Sequence, residues 1–176
     1  MVQESTQELR IIYEVIKLLE GADKKNSYDK FWLVPDMENM AYFFEYAPKL
    51  AMMLYNTDNL DRVTFLSAFM TSRFRRMMEE GHPRFLSQAA IDSFKMYVDV
   101  DFDGDLSRFV KVNQPQYAPN QWFWIGEMYA YVHYMADMHS TDIIRKLPIP
   151  YMLQQYSCGH TMSYEQYFEK LANRLK

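Results

Sequence analysis

Apolar residues recur along this chain at three- and four-residue steps, the period of a helix buried on one face. Leu9, Ile12, Ile16 and Leu19 set the pattern first, between a Ser5/Glu8 capping-box spacing and Gly21, and predict a helix over 5–20. The polar stretch 23–29 reads as a linker. Phe31-Trp32-Leu33-Val34 is an apolar run halted by Pro35, after which Asp36 is expected to cap a second helix carrying Met40, Phe43, Phe44 and Ala47. Pro48 lacks the N–H that a helix interior uses, so a kink or break is expected there before the chain resumes to Leu54. A third helix, about 60–80, is predicted from Val63, Leu66, Phe69, Met70, Phe74 and Met77, with its end at Gly81. His82-Pro83 breaks the path, and a fourth helix opening at Arg84 or Ser87 carries Ala90, Ile91, Phe94 and Tyr97.

The second half follows an acidic stretch, 99–105, and a loop holding Pro115 and Pro119. Asn120 then starts a helix over 122–138 whose apolar residues lie all round it, the mark of a central, buried element. Gly126 would let a neighbouring backbone approach it closely. Ser140 is placed to cap a short helix ending at Leu147, Pro148 and Pro150 bracket a turn, and Tyr151 to Tyr156 reads as another short helix. Ser163 opens the last helix, with Tyr164, Tyr167, Phe168, Leu171 and Leu175 at helical spacing. The pattern predicts an all-α fold: a single domain over 1–176 with seven or eight helices around the aromatic-rich helix 122–138, and the acidic loop as a point of subdivision into 1–98 and 106–176.

Composition narrows this further. An apolar share of 49% in 176 residues is enough for a real core and excludes wholesale disorder. Only 5 Gly and 7 Pro leave little material for turns, which favours long helices over many short strands. The single Cys excludes an intramolecular disulfide and, with no leader pattern, points to a cytoplasmic setting. No run approaches the roughly 18 apolar residues of a membrane span, so no membrane partner is expected. A net charge of −4 gives no general reason to expect nucleic acid.

Candidate chemistry is sparse. Asp99, Asp101, Asp103 and Asp105, with Gly104 between the last two, match the first half of a calcium-binding EF-hand loop. The position that should hold a bidentate Glu is Val110, so the motif is incomplete and a solvated acidic loop is the expectation. His133 and Asp137 share a helix face and Cys158-Gly159-His160 follows later, but neither the paired CxxC nor the HExxH of a zinc site is present. No nucleotide-binding glycine loop and no nucleophile elbow occurs, so no cofactor is implied. Glu127 and Asp137, on the most apolar helix, are the carboxylates that burial would raise toward general-acid use, against the blander expectation that Glu127 accepts hydrogen bonds from tyrosine hydroxyls. Arg73, Arg75, Arg76 and Arg84 form a basic patch at the end of the third predicted helix, diluted by Glu79 and Glu80.

The segment 127–172 resembles a family of small helical bacterial domains of unknown function. The resemblance rests on Met138-His139-Ser140 as a helix start, Tyr151 and Tyr156 on a short helix, and His160-Thr161 before the final helix. It implies an accessory protein, of the kind found beside toxin-like or mobile-element systems, with no assigned active site.

The abundance of Met, Tyr and Phe, with no catalytic motif, makes a non-catalytic interaction or regulatory module the leading expectation. Its partner would be another protein or a second copy of the chain. The first alternative is a small-ligand-binding protein or enzyme with an aromatic-lined pocket, for which Glu127, Tyr131, Tyr156 and His160 are the candidate residues. A second is a nucleic-acid-associated protein acting through the Arg73–Arg84 patch.

Overall fold

The computed structural model describes residues 11, 28–81, 85 and 87–176. The expected helix 5–20, most of the 23–29 linker, His82-Pro83 and Arg84 lie outside the described residues. Eight helices are described: α1 (Leu33–Tyr55), α2 (Arg62–Met70), α3 (Arg73–Glu79), α4 (Ala90–Phe102), α5 (Pro119–Ala136), α6 (Ser140–Lys146), α7 (Ile149–Gly159) and α8 (Tyr164–Leu175). Among the described residues the only β-type pairing is an isolated bridge between Leu60 and Val110, so the fold is all-α. No helix among them is long and apolar enough to cross a membrane.

A helix that is apolar all round has to be enclosed, and α5 is. Trp122, Ile125, Met128, Tyr129, Ala130, Val132 and Tyr134 are all buried. The helix begins at Pro119 rather than Trp122, because proline in the first turn gives up an N–H that has no helical acceptor anyway. Its most extensive packing is along α1. Gly126 makes that crossing possible, since a Cβ there would lie 2.4 Å from the Met40 carbonyl oxygen and 2.9 Å from the Ala41 Cα. Beyond α1, Phe43 and Phe69 stack at 4.1 Å and meet Phe65, Phe94 and Tyr97. Each ring of that size contributes about 1.5–3 kcal/mol on leaving water. One continuous core cluster draws on α1 to α8, on both sides of the acidic segment.

Four local expectations are corrected. Asp36 does not cap α1, which starts at Leu33; the residue lies inside the helix and is fully buried. No break occurs at Pro48, and α1 runs on to Tyr55. The proline costs about 3 kcal/mol in a helix interior, and burial of the adjoining Ala47, Leu50 and Ala51 offsets it. The third predicted helix is instead two. Ser72 separates them, its hydroxyl donating to the Phe69 carbonyl at 2.6 Å and accepting the Arg75 N–H at 3.1 Å, a side-chain bond that competes with the helix ladder. Pro148 and Pro150 open a helix rather than bracketing a turn, with Pro150 in the first turn of α7.

Candidate functional site

The two ends of α5 carry the two polar clusters of interest. At its C-terminal end, five polar side chains from four helices are enclosed in the core: Asp36, Arg75, Glu79, His133 and Ser140. The Arg75 guanidinium donates twice to Asp36, at 2.7 and 2.8 Å, and its Nε donates to the Ser140 hydroxyl at 3.1 Å. Glu79, one turn along α3, accepts the Ser140 backbone N–H at 2.7 Å and lies 3.4 Å from the Arg75 Nε. The His139 Nδ1–H faces Glu79 Oε2 at 3.1 Å and the Tyr28 hydroxyl oxygen at 2.7 Å. Tyr28 closes the cluster: its ring lies 4.0 Å from that of His133, and its backbone N–H donates to Asp137 at 3.0 Å. His133 Nδ1–H donates to the Met138 carbonyl at 2.6 Å, which leaves Nε2 as a buried acceptor without a hydrogen bond.

The electrostatics follow from this enclosure. Burial opposes the Glu79 charge, but the His139 hydrogen bond, the His133 and Arg75 charges and Ser140 outweigh it and hold the carboxyl at about 2. Burial also opposes the Arg75 charge, and Asp36 overrides it, so the guanidinium is held protonated. His133 is pushed down by burial, which Glu79 opposes only in part.

The N-terminal end of α5 is different. Here α5, the last turn of α7 and the start of α8 surround an open pocket of about 250 Å³. Its walls are rings: Phe123, Trp124, Tyr156 and Tyr164 line it, together with Glu127 and His160. Tyr156 and His160 stack in parallel at 4.3 Å, and Trp124 sets its edge against Tyr156 at 5.7 Å. His160 Nδ1–H donates to the Tyr156 carbonyl, so its Nε2 is left as an acceptor. Glu127 accepts from the Tyr164 hydroxyl, its one hydrogen-bond partner among the described residues. Burial pushes the Glu127 carboxyl up, and the Tyr164 bond opposes this in part. Gly159 seats the arrangement: it is the last residue of α7, and a Cβ there would lie 2.4 Å from the Trp124 ring.

Three of the four candidate residues, Glu127, Tyr156 and His160, therefore line one pocket. Tyr131 stands behind it, buried and stacked on Tyr164 at 5.7 Å. Outside the pocket, Phe123 meets the edge of Tyr42 at 5.6 Å, and Tyr42 stacks on the exposed Tyr46 at 5.8 Å.

The acidic residues are distributed differently from a loop. α4 extends to Phe102, so Asp99 and Asp101 are helical, and Asp99 accepts from Tyr55 at 2.9 Å and Lys95 at 3.2 Å. Asp103 takes the left-handed conformation at the end of α4, and Asp105 accepts the Ser107 N–H at 2.9 Å. Among the described residues no group of three or more His, Cys, Asp or Glu is placed to hold a metal ion. His133 belongs to the buried cluster, His160 to the pocket, and Cys158 is exposed. The basic patch is likewise divided. Arg75 is buried and saturated by Asp36, and Arg76 pairs with Glu80 at 3.6 Å, so a phosphate could not reach Arg75.

A second cavity, about 190 Å³, opens beside Arg62, Gln114 and Trp122. The Arg62 guanidinium lies 4.6 Å over the Trp122 ring and donates to the Glu45 carbonyl at 3.3 Å; burial pulls it down to about 10.

Sequence reasoning missed the Asp36–Arg75–Glu79 association, Tyr28, and the roles of Trp124 and Tyr164 as pocket walls. The available signal was Arg75 and Glu79 one turn apart within Phe74, Met77 and Met78, charges embedded where a helix must be buried. Comparison of the chain with protein families, curated proteins and solved structures finds no match.

Proposed function

We propose that this chain is a non-catalytic binding protein whose pocket at the N-terminal end of α5 recognises a small ligand. The observation that carries this is the convergence of Glu127, Tyr156, His160 and Trp124 on one open cavity of about 250 Å³. Aromatic walls with a few fixed polar groups are the usual make-up of a small-molecule site. The volume suits a small molecule or the end of a larger one. Of the side chains used as covalent nucleophiles the lining holds Glu127, His160, Tyr156 and Tyr164, and Glu127 is engaged by the Tyr164 hydroxyl rather than set beside a general base, which favours binding.

A ligand-observed NMR screen of small fragments against the full chain tests it. Mutually competing binders whose signals are lost in Tyr156→Leu are the expected result. Absence of binders, or binders indifferent to both Tyr156→Leu and Glu127→Gln, would count against it.

A second reading, a protein–protein interaction module, is favoured by Tyr42, Tyr46 and Met53, exposed side chains that share one face of α1. A native mass above that of one chain, reduced by Tyr46→Ser, is what that reading expects.

A further inference from the structure

Resting on the small-ligand reading above, we infer that the pocket takes a small organic ammonium ion, held against the faces of Trp124, Tyr156 and Tyr164 and neutralised by Glu127. The argument is one of charge and lining. The lining side chains include one carboxylate and no Lys or Arg. Glu127 is half-buried, and its one hydrogen-bond partner among the described residues is a neutral hydroxyl, so its charge is uncompensated where water is partly excluded. An unpaired carboxylate in such a place is unfavourable until a cation joins it. That it is raised by burial is the same fact seen from the proton, the simplest cation available.

The neighbouring groups point the same way. Aromatic faces carry negative potential and attract ammonium groups most strongly when both are desolvated. The pocket lies at the C-terminal end of α7, the negative end of that helix dipole, although the Tyr156, Cys158 and Gly159 carbonyls there already accept hydrogen bonds from the turn that follows. His160 presents an acceptor nitrogen, its Nδ1–H being engaged with the Tyr156 carbonyl. The opposing influence is the partial positive charge of two helix N-termini, that of α8 at Tyr164 and that of α5 at Asn120, which falls off within the first turn of each. The full charge of Glu127, two turns further along α5, outweighs it.

The test is isothermal titration of the full chain with tetramethylammonium, choline, propylammonium and 3,3-dimethylbutan-1-ol, the neutral carbon isostere of choline. Choline is expected to bind at least about tenfold more tightly than the neutral alcohol. Tetramethylammonium and propylammonium compete with it, the first reporting ring contact and charge without an N–H donor and the second adding donation to Glu127 or His160. Glu127→Gln should lower choline affinity by about tenfold and narrow, without abolishing, its preference over the alcohol. Tyr156→Leu, which keeps the carboxylate, should weaken tetramethylammonium and choline together. Should Glu127→Gln fail to fold, the choline-to-alcohol ratio on the unaltered chain still decides. Equal binding of choline and the alcohol overturns the ammonium assignment while the small-ligand reading survives. Failure of these probes alongside fragment binders in the pocket has the same meaning, and failure of every fragment removes both.

Discussion

The two ends of α5 hold comparable chemistry in opposite states. At the C-terminal end, Glu79 is enclosed and has Ser140, Arg75 and His139 around it. At the N-terminal end, Glu127 is half-buried, open to a cavity, and has one phenol. Burial acts to raise both carboxyls, yet partners bring Glu79 to about 2 while Glu127 stays raised. The lesson is that burial alone does not decide what a carboxylate does. A surrounding that supplies its cations fixes it as part of the architecture; one that does not leaves it to receive them from outside.

The sharpest way to break this contrast is to unbalance the closed end. Asp36→Ala strands the Arg75 charge in the core and should lower stability by about 3–5 kcal/mol in urea denaturation. Pairing Asp36→Leu with Arg75→Met should restore much of that loss, since an apolar pair carries no desolvation cost. Next in size is the pH response of Glu79. Its folded value lies below the unfolded one, so its contribution is present in full above about 4.5 and is lost as pH falls toward 2. The loss amounts to about 3 kcal/mol, readable as a shallower acid limb in Glu79→Gln. His133 acts earlier in the same direction: burial lowers it, so acidification below its ordinary value of about 6.5 favours the unfolded chain.

Two smaller effects sharpen the open end. Gly159→Ala drives a methyl against the Trp124 ring, at an overpacking cost of about 1–3 kcal/mol. A changed Trp emission with a smaller uptake of ligand would register the displaced wall. Glu127→Gln should alter stability by about 1 kcal/mol or less, the value of one partly exposed hydrogen bond. A loss of 3 kcal/mol or more there would make Glu127 as architectural as Glu79, and the contrast between the ends would vanish.

How far each end could be read from sequence differs for the same physical reason. Helical periodicity is local, so the all-α fold, the central place of α5 and the close approach at Gly126 were legible. The pocket was partly so, because Glu127, Tyr156 and His160 are chemically conspicuous on apolar helices. Their convergence, and the part of Trp124 and Tyr164 in it, depends on how α7 and α8 pack against α5, which no local pattern states. The closed cluster was hidden in another way. Asp36 after a proline looks like a cap, and Arg75 beside Arg73 and Arg76 looks like surface charge; only the break at Ser72, set by one hydroxyl, separates the helices at that point. The acidic segment misleads by composition, because Asp99 and Asp101 extend a helix that a metal-binding loop would have ended.

The crossing at Gly126 has a consequence in time as well as in space. Met40 and Gly126 are separated along the chain by the whole of α2, α3 and α4, yet their backbones meet more closely than a side chain would allow. Such a contact yields nothing until a long loop has closed, so the neighbouring helices must be gathered before the tightest joint in the molecule can form. Helical proteins usually fold quickly because their contacts are local. Here the tightest joint is a long-range one that only a residue without a side chain can complete.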